Sequence, residues 1–191
     1  MRLSVPSRPS AFRGGLTAFV MVLTACASTP SQPVVDRLDP DTGSTLTVMD
    51  SPVELLAEAT RGAAGDPFAY IAPFETDQMG KRALFLWMTA PAPEGATLDT
   101  QLLCDGQPLV LQPVEGGIRH LGIAHAPYSA PAPWSEQWYF QLPQDALKCL
   151  AGAQTIALET HVAGGGESQR FTVGSKNLAA LKAFSTRQSP Q

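Results

Sequence analysis

Three histidines, His120, His125 and His161, are the side chains best suited to acid–base or metal chemistry near neutral pH. His120 and His125 are five residues apart, and an odd spacing on a strand points two side chains to opposite faces. They are therefore poorly placed to share a metal ion, and no other metal ligands cluster around them in the sequence. The pattern predicts no metal site and no cofactor.

Motifs that build common hydrolase sites, such as GxSxG, SxxK and HExxH, are missing from the sequence. The run Gly164-Gly165-Gly166-Glu167 lacks the Gly-Lys-Ser/Thr that completes a phosphate-binding loop, and it indicates a hairpin tip instead. The acidic residues are scattered singly, although a glycosidase pair is set in space and has no motif. We predict that the protein is not an enzyme, with an envelope hydrolase lacking a recognisable motif as the alternative.

The most aromatic stretch, residues 134–142, is predicted as a strand with Trp134 and Trp138 on one face. One interpretation buries this face in the core; the other places Trp134 at the open end of the sheet, on a contact surface. The preceding residues 126–133 are proline-rich and predicted to be extended, with Tyr128 as an exposed aromatic. Aromatic side chains at the rim of a rigid domain often anchor interfaces, so Tyr128 and Trp134 are the candidate interaction surface.

Composition excludes several classes of protein. The chain has 191 residues, 44% of them hydrophobic, which fits one domain and is too apolar for a wholly disordered protein. A pI of about 5.3 has the wrong sign for a nucleic-acid partner. No apolar run reaches the roughly 18 residues of a membrane-spanning helix, which excludes a polytopic membrane protein. The 17 prolines and 16 glycines favour short strands and many turns.

Residues 1–25 have the pattern of a secretory signal peptide. Three arginines without acidic residues precede an apolar segment, residues 16–25, that is about half the length of a membrane span. The following Leu23-Thr24-Ala25-Cys26 resembles the lipobox of bacterial lipoproteins. The resemblance implies cleavage before Cys26, diacylglycerol on its thiol and an acyl chain, typically palmitate, on the new amino terminus. The alternative is an ordinary secretory signal in which Cys26 is incidental.

Three acyl chains would anchor the protein firmly, because each buried CH₂ contributes about 0.8 kcal/mol. Ala27 rather than Asp follows the lipidated cysteine, and the sorting rule of that family then implies the outer membrane, facing the periplasm. Inner-membrane retention and surface exposure remain alternatives. Residues 26–41 are predicted to be a lipidated tether, 42–187 one domain and 188–191 a disordered tail.

With Cys26 assigned to lipid, Cys104 and Cys149 remain, and the exported location implied by the resemblance is one where disulfides persist. Their pairing would close a loop of about 45 residues and stabilise the fold by roughly 4 kcal/mol in the chain-entropy model. A redox or metal pair is disfavoured because there is no CxxC and no histidine close in sequence to either cysteine. We predict a structural disulfide, with free thiols as the other alternative.

The pattern of alternating hydrophobic residues and glycine-containing turns predicts strands at 45–49, 68–76, 81–89, 98–104, 107–114, 117–124, 134–142, 153–162 and 168–173. Ser51-Pro52-Val53-Glu54 has the form of a capping box and predicts a short helix over 52–61. Further helical segments are predicted at 143–150 and 175–186. Together these elements predict a mainly-β protein, an antiparallel sandwich that is Ig-like in the broad sense, with a short N-terminal-side helix and a C-terminal helix.

The stretch from Asp39 through Trp87 resembles a family of uncharacterised proteobacterial outer-membrane lipoproteins. Two segments carry the resemblance: Asp39-Pro40-Asp41-Thr42-Gly43 and Asp77-Gln78-Met79-Gly80-Lys81, the second continuing to Trp87. In that family a D-x-x-T-G strand is followed by a short helix and by a hairpin with an M-G-[KR] turn. The family has no assigned activity for the resemblance to transfer. We therefore expect a non-catalytic binding or assembly module, tethered to the outer membrane and working with another envelope protein.

Overall fold

The computed structural model describes residues 33–58, 68–164, 168–173 and 178–188. The predicted signal peptide, Cys26 and the first part of the tether lie outside the described residues, as do the end of the predicted 52–61 helix, residues 175–177 and residues 189–191. Among the helices of the described residues, none combines the length and the apolar character needed to cross a lipid bilayer.

The described strands form one antiparallel sheet of 11 strands that curls into a half-barrel. The strands are β1 (Val34–Leu38), β2 (Thr45–Met49), β3 (Val53–Ala57), β4 (Phe68–Gln78), β5 (Lys81–Pro91), β6 (Leu98–Cys104), β7 (Gln107–Pro108), β8 (Gln112–Pro113), β9 (Ser135–Gln141), β10 (Ile156–Val162) and β11 (Ser168–Val173). Their order is β7-β6-β10-β11-β3-β4-β5-β9-β8, with β2 also paired to β4 and β1 paired to β2. The predicted mainly-β antiparallel class is confirmed, whereas two packed sheets of an Ig-like sandwich are not, because every strand belongs to the same sheet.

Two helices, α1 (Gln144–Gly152) and α2 (Leu178–Gln188), and one 3₁₀ turn (Ile118–Leu121) complete the described elements. The predicted helical segment at 143–150 corresponds to α1. On α2, Leu181 and Phe184 are buried and Leu178 is half-buried, as the predicted apolar stripe requires.

The hairpin of β4 and β5 matches its prediction closely. Met79 and Gly80 form the turn with φ of 52° and 84°, the pair of positive values that a two-residue hairpin turn prefers. The Asp77 carboxylate accepts the N–H of Gly80 at 2.7 Å, which closes the turn. Strand β5 is buried on both faces between β4 and β9, as its continuous apolar run indicates.

The sheet packs on both of its faces. On one face, side chains from most of the strands pack under α1 and α2 to form the helix-face core. On the other face, β2, β4, β5 and β9 carry the loop-face core, and the long loop of residues 114–134 covers it. Leu121, Ile123 and Tyr128 are the buried side chains that this loop contributes. Such a long loop without much secondary structure must pack by its own side chains, as this one does.

The helix predicted over 52–61 is wrong for its described part, which is strand β3. Strand β3 lies between β4 and β11. Val53 and Leu55 are fully buried, whereas Leu56 is 44% exposed, and this two-residue alternation of burial is that of a strand and not of a helix. Pairing with a neighbour on each side satisfies the backbone of β3. These tertiary contacts outweigh the local capping-box signal.

The strand predicted at 117–124 is also wrong, because these residues contain the 3₁₀ turn. Gly117 and Gly122 flank the turn with φ of 72° and 76°, values with which a strand does not continue. The strand predicted at 107–114 shrinks to β7 and β8, which pair with β6 and β9 on opposite edges of the sheet. The residues between them therefore bridge the two edges.

The folded domain begins earlier than predicted. Residues 34–38, assigned from the sequence to the tether, form β1 and pair with β2 over five residues. Val34 is 7% exposed, and the pair of valines at 34 and 35 supplies the apolar surface that holds the strand on the sheet. The connection from Cys26 to the domain is correspondingly short.

Candidate functional site

Cys104 and Cys149 lie where a disulfide joins two elements. Cys104 is the last residue of β6, Cys149 lies in α1, and their sulfur atoms are at disulfide-bond distance with Cα atoms 6.3 Å apart. This is the predicted pair. The bond fixes α1 to the end of β6, against the helix-face core.

Tyr128 was predicted to be exposed, but it is buried. Its side chain is 8% exposed, and its ring packs on Trp87 with ring centroids 5.2 Å apart. The proline-rich loop folds back over the sheet, and this contact buries the aromatic that the extended segment was expected to present. Tyr128 is therefore removed from the candidate interaction surface and belongs to the loop-face core.

The Tyr128 hydroxyl forms hydrogen bonds with one backbone group of β2 and one of β4. It accepts the Met49 N–H at 2.9 Å and donates to the Pro73 carbonyl at 3.3 Å. Pro73 lies between the residues of β4 that pair with β2 and those that pair with β3, where the chain passes from one strand to the other. Burial raises the pKa of Tyr128 well above its ordinary value, so the hydroxyl stays protonated and keeps donating.

Asp39, at the end of β1, anchors the same loop. One of its oxygens accepts N–H groups of Asp41 and Thr42, at 3.0 and 3.4 Å. The other accepts those of Ala124 and His125, at 2.7 and 3.2 Å. The side chain is 4% exposed, and burial alone would raise its pKa, but the four backbone donors outweigh burial and lower it.

A second set of contacts fastens the loop beside Asp39. The Ser44 hydroxyl donates to the Gly122 carbonyl at 2.6 Å, and the Gln78 amide donates to the same carbonyl at 2.9 Å. Gly122 has φ of 76°, which favours glycine, and a Cβ there would lie 2.4 Å from the Gln78 amide nitrogen, so a larger residue would displace the Gln78 side chain. The two segments that carry the resemblance to lipoproteins thus meet in space, at the loop that covers the loop-face core.

His125 lies between two carboxylates. Its ring nitrogens are 3.7 Å from an Asp39 oxygen and 3.6 Å from an Asp41 oxygen. Within the described ranges, these three side chains bring possible metal-ligand atoms within 4.8 Å of one another. Both Asp39 oxygens already accept backbone N–H groups, so loop anchoring accounts for the cluster. His120 is engaged elsewhere, with its Nδ1 2.6 Å from the Glu115 carbonyl.

Asp39 makes a pH-dependent contribution to stability. Because its folded-state pKa lies below the ordinary value of 3.8, this contribution is present above about pH 5 and is lost as the pH falls through 3.8 and below. We expect Asp39→Asn to be less stable than the wild type at neutral pH and to lose less stability on acidification. Urea unfolding at a series of pH values measures both.

The control for this experiment is Asp41→Asn, because the Asp41 side chain is 64% exposed and its carboxylate accepts none of the four N–H groups that Asp39 holds. Burial raises the pKa of Glu75, so Glu75 gives stability a pH dependence of the opposite sign. Because Glu75 is present in the wild type and in both variants, its effect cancels when their profiles are compared. Parallel profiles for wild type and Asp39→Asn would contradict the role of the carboxylate.

Trp134 is exposed at the sheet end opposite the β4–β5 turn. It is 59% exposed, whereas Trp138 and Phe140 on β9 pack against the helix-face core. Ser135, the next residue, pairs with Pro91 at the far end of β5. Trp138 and Phe140 thus pack against the core, as one interpretation of the aromatic strand expected. The exposed position of Trp134 is compatible with the other interpretation, a contact surface.

A shallow depression of about 250 Å³ lies between β10, β11 and Glu58, the residue after β3. His161 Nδ1 is 2.7 Å from the Ser168 hydroxyl oxygen, and Arg170 lies 3.2 Å from Glu159 and 3.6 Å from Glu58. His161 with Ser168, and Glu159 with Arg170, are directly paired residues of β10 and β11. Sequence reasoning missed this group because the members come from two strands and a strand end.

The other contact missed from the sequence is that between Asp39 and Ala124, residues far apart in the chain. The D-x-x-T-G segment was the one available signal, since an aspartate before a tight turn often accepts backbone N–H groups. Neither protein-family models, nor curated proteins, nor solved structures match this chain, so its function rests on the geometry described above.

Proposed function

We propose that the protein is a lipid-anchored envelope module that binds another envelope protein without catalysis. The exposure of Trp134 at a rigid end of the sheet carries the proposal. Tryptophan is enriched among the residues that dominate binding energy at interfaces, so an exposed indole on ordered backbone is a suitable anchor for a partner.

The surroundings of Trp134 favour binding because they are already ordered. The Ala92 N–H donates to the Trp134 carbonyl at 3.3 Å, and the Ser135 N–H donates to the Ala132 carbonyl at 3.1 Å. Each of the two segments that meet here contains a Pro-Ala-Pro run, at 91–93 and 131–133. Proline restricts the free chain as well as the bound one, so binding loses little conformational entropy.

The proposed location rests on the lipobox and agrees with the cysteine pair. A disulfide persists in the periplasm, to which the signal peptide would deliver the chain, and is rare in the cytoplasm. Lipidation of Cys26 would place the domain at the outer membrane. The exposed end of the sheet around Trp134, which we call the Trp134 rim, would then face partners in the periplasm.

We expect Cys26→Ser to release the folded protein from the membrane completely. Cys26 precedes the described residues in the sequence, and we expect the melting temperature of the domain to stay unchanged. Fractionation after a high-salt wash, with circular dichroism of the soluble form, measures both. A Cys26→Ser protein that still sediments with membranes would exclude the lipid anchor.

The binding surface is tested by crosslinking in cells. We expect Trp134→Ala to lose its crosslinked envelope partner while keeping its melting temperature, because the side chain is largely outside the core. Leu56→Ala is the matched control, since Leu56 is also apolar and exposed but lies on β3. If Trp134→Ala retains every partner of the wild type, the Trp134 rim is not the binding surface.

A hydrolase is the second candidate, and the 2.7 Å contact between His161 and Ser168 favours it. A histidine hydrogen-bonded to a serine is the minimal pair of nucleophile and base. The pair is exposed on a shallow surface, which is a poor setting for excluding water. Labelling of Ser168 by a serine-reactive fluorophosphonate, abolished in His161→Gln, would replace the binding proposal with the enzymatic one.

A further inference from the structure

We propose that the end of the sheet that carries Leu38, Met79 and Val110 rests on the lipid bilayer. We call it the apolar end. The inference rests on the proposed lipid anchor at Cys26 and adds the orientation of the domain. The occupant of this surface is the membrane to which the chain is attached.

Strand pairing places Leu38 and Met79 at the same end, and Val110 toward it. Met79 is in the turn between β4 and β5, and Leu38 ends β1 opposite Thr45, which in turn pairs with Asp77 just before that turn. Val110 precedes β8, whose Gln112 pairs with the last residue of β9. Since β9 runs antiparallel to β5, the last residues of β9 lie toward the end where β5 begins.

These side chains are unusually exposed for large apolar residues. Met79 is 105% exposed, Val110 87% and Leu38 68%, which makes them the three most exposed large hydrophobic residues in the described part of the chain. Single exposed apolar residues are ordinary, but Leu38 and Met79 together at one end, with Val110 toward it, are a concentration of apolar side chains that water disfavours.

Charged side chains of both signs lie at the apolar end, where the Asp41 carboxylate is 64% exposed. Arg37 directly precedes Leu38 and Lys81 follows the turn, and both are exposed, so they flank the apolar side chains as basic residues do at a membrane interface. Two nearby acids are engaged: Asp39 accepts four backbone N–H groups, and Asp77 accepts from Gly80 and Arg82. Asp41 lies beside His125.

The covalent connection keeps the domain within reach of the bilayer. Eight residue steps separate Cys26 from Val34, the first residue of β1, and they span at most about 28 Å when fully extended. Leu38 lies about 13 Å further along the strand. A domain on so short a connection meets the membrane at a high effective concentration, so a weak apolar contact is enough to orient it.

Docking of the apolar end would turn the opposite end of the sheet into the periplasm. Trp134 lies at that opposite end, just before β9 begins. The seven residues of β9 hold it about 20 Å from the apolar end. The proposed partner surface and the proposed membrane surface are thus compatible.

Oxidation of Met79 by hydrogen peroxide tests the inference without any substitution. The mature chain keeps Met49 and Met88 as internal references, both of them buried. We expect Met79 in the Cys26→Ser protein to form its sulfoxide quickly, and Met79 in the lipidated protein on phosphatidylethanolamine–phosphatidylglycerol vesicles to react at least fivefold more slowly. Peptide mass spectrometry gives the rates, and vesicle flotation reports anchoring.

Two variants separate docking from other sources of protection. Leu38→Asp in the lipidated protein should restore fast oxidation of Met79, whereas Leu56→Asp, on β3, should not. Equal Met79 rates in the anchored and soluble proteins would overturn the inference and leave the anchor intact, while failure to float would overturn both. Protection that disappears when the protein is diluted with excess lipid would show contact between copies and would also overturn it.

Discussion

Tyr128→Ala should lower the free energy of unfolding by about 3–5 kcal/mol, the range for truncating a buried aromatic side chain. The ring packs on Trp87 in the loop-face core, and the hydroxyl joins Met49 to Pro73. Tyr128→Phe keeps the ring and removes only the hydroxyl. It should cost about 1–3 kcal/mol, because the Met49 N–H and the Pro73 carbonyl would be left buried without a partner. Urea unfolding of the purified domain measures both variants.

Tyr139→Phe is the control for the hydroxyl. Tyr139 packs in the same core, and its hydroxyl makes no hydrogen bond with the described residues. We expect its removal to be nearly neutral. If Tyr128→Phe is as stable as the wild type, the hydrogen bonds of the hydroxyl to β2 and β4 do not stabilise the fold and the loop is held by other contacts.

Reduction of the Cys104–Cys149 bond should lower the free energy of unfolding by about 4 kcal/mol, the chain-entropy value for a loop of this size. The bond joins the end of β6 to α1 across a sequence separation of 45 residues, so the unfolded chain gains much freedom when it is broken. Unfolding in urea with and without a reductant measures the difference.

The double variant Cys104→Ala, Cys149→Ala is the control for the reductant, which should have no effect on its stability. Alkylation of the protein extracted from cells, before reduction, gives an independent check. Two alkylated thiols at these positions would contradict the disulfide in the native protein.

The features that the sequence predicted well are those encoded by neighbouring residues. Asp77-Gln78-Met79-Gly80 supplies both the positive φ values and the side-chain acceptor of the β4–β5 turn. The apolar run of β5 indicated a central strand because both faces needed covering. The cysteine pair was predicted differently, because only Cys104 and Cys149 remain once Cys26 is assigned to lipid.

The features that it missed depend on contacts between distant residues. Val53–Ala57 carries a helix-start signal, yet pairing with β4 and β11 makes it a strand. Tyr128 was predicted to be exposed because the prolines around it favour an extended segment. No residue near Tyr128 in the sequence indicates that Asp39 and Ser44 hydrogen-bond the loop and hold it on the sheet. The group around His161 and Ser168 comes from strand pairing, and no single segment of the sequence contains it.

Strand β1 has a mechanical consequence when the domain hangs from a lipid. Tension on Cys26 would enter the fold at Val34 and act on the five residue pairs between β1 and β2. At the far end of β1, Asp39 holds Ala124 and His125 of the covering loop. Force sufficient to peel β1 from β2 would therefore also loosen the cover of the loop-face core. In the proposed lipid-anchored form, the same short strand would both carry the load and hold the cover of that core.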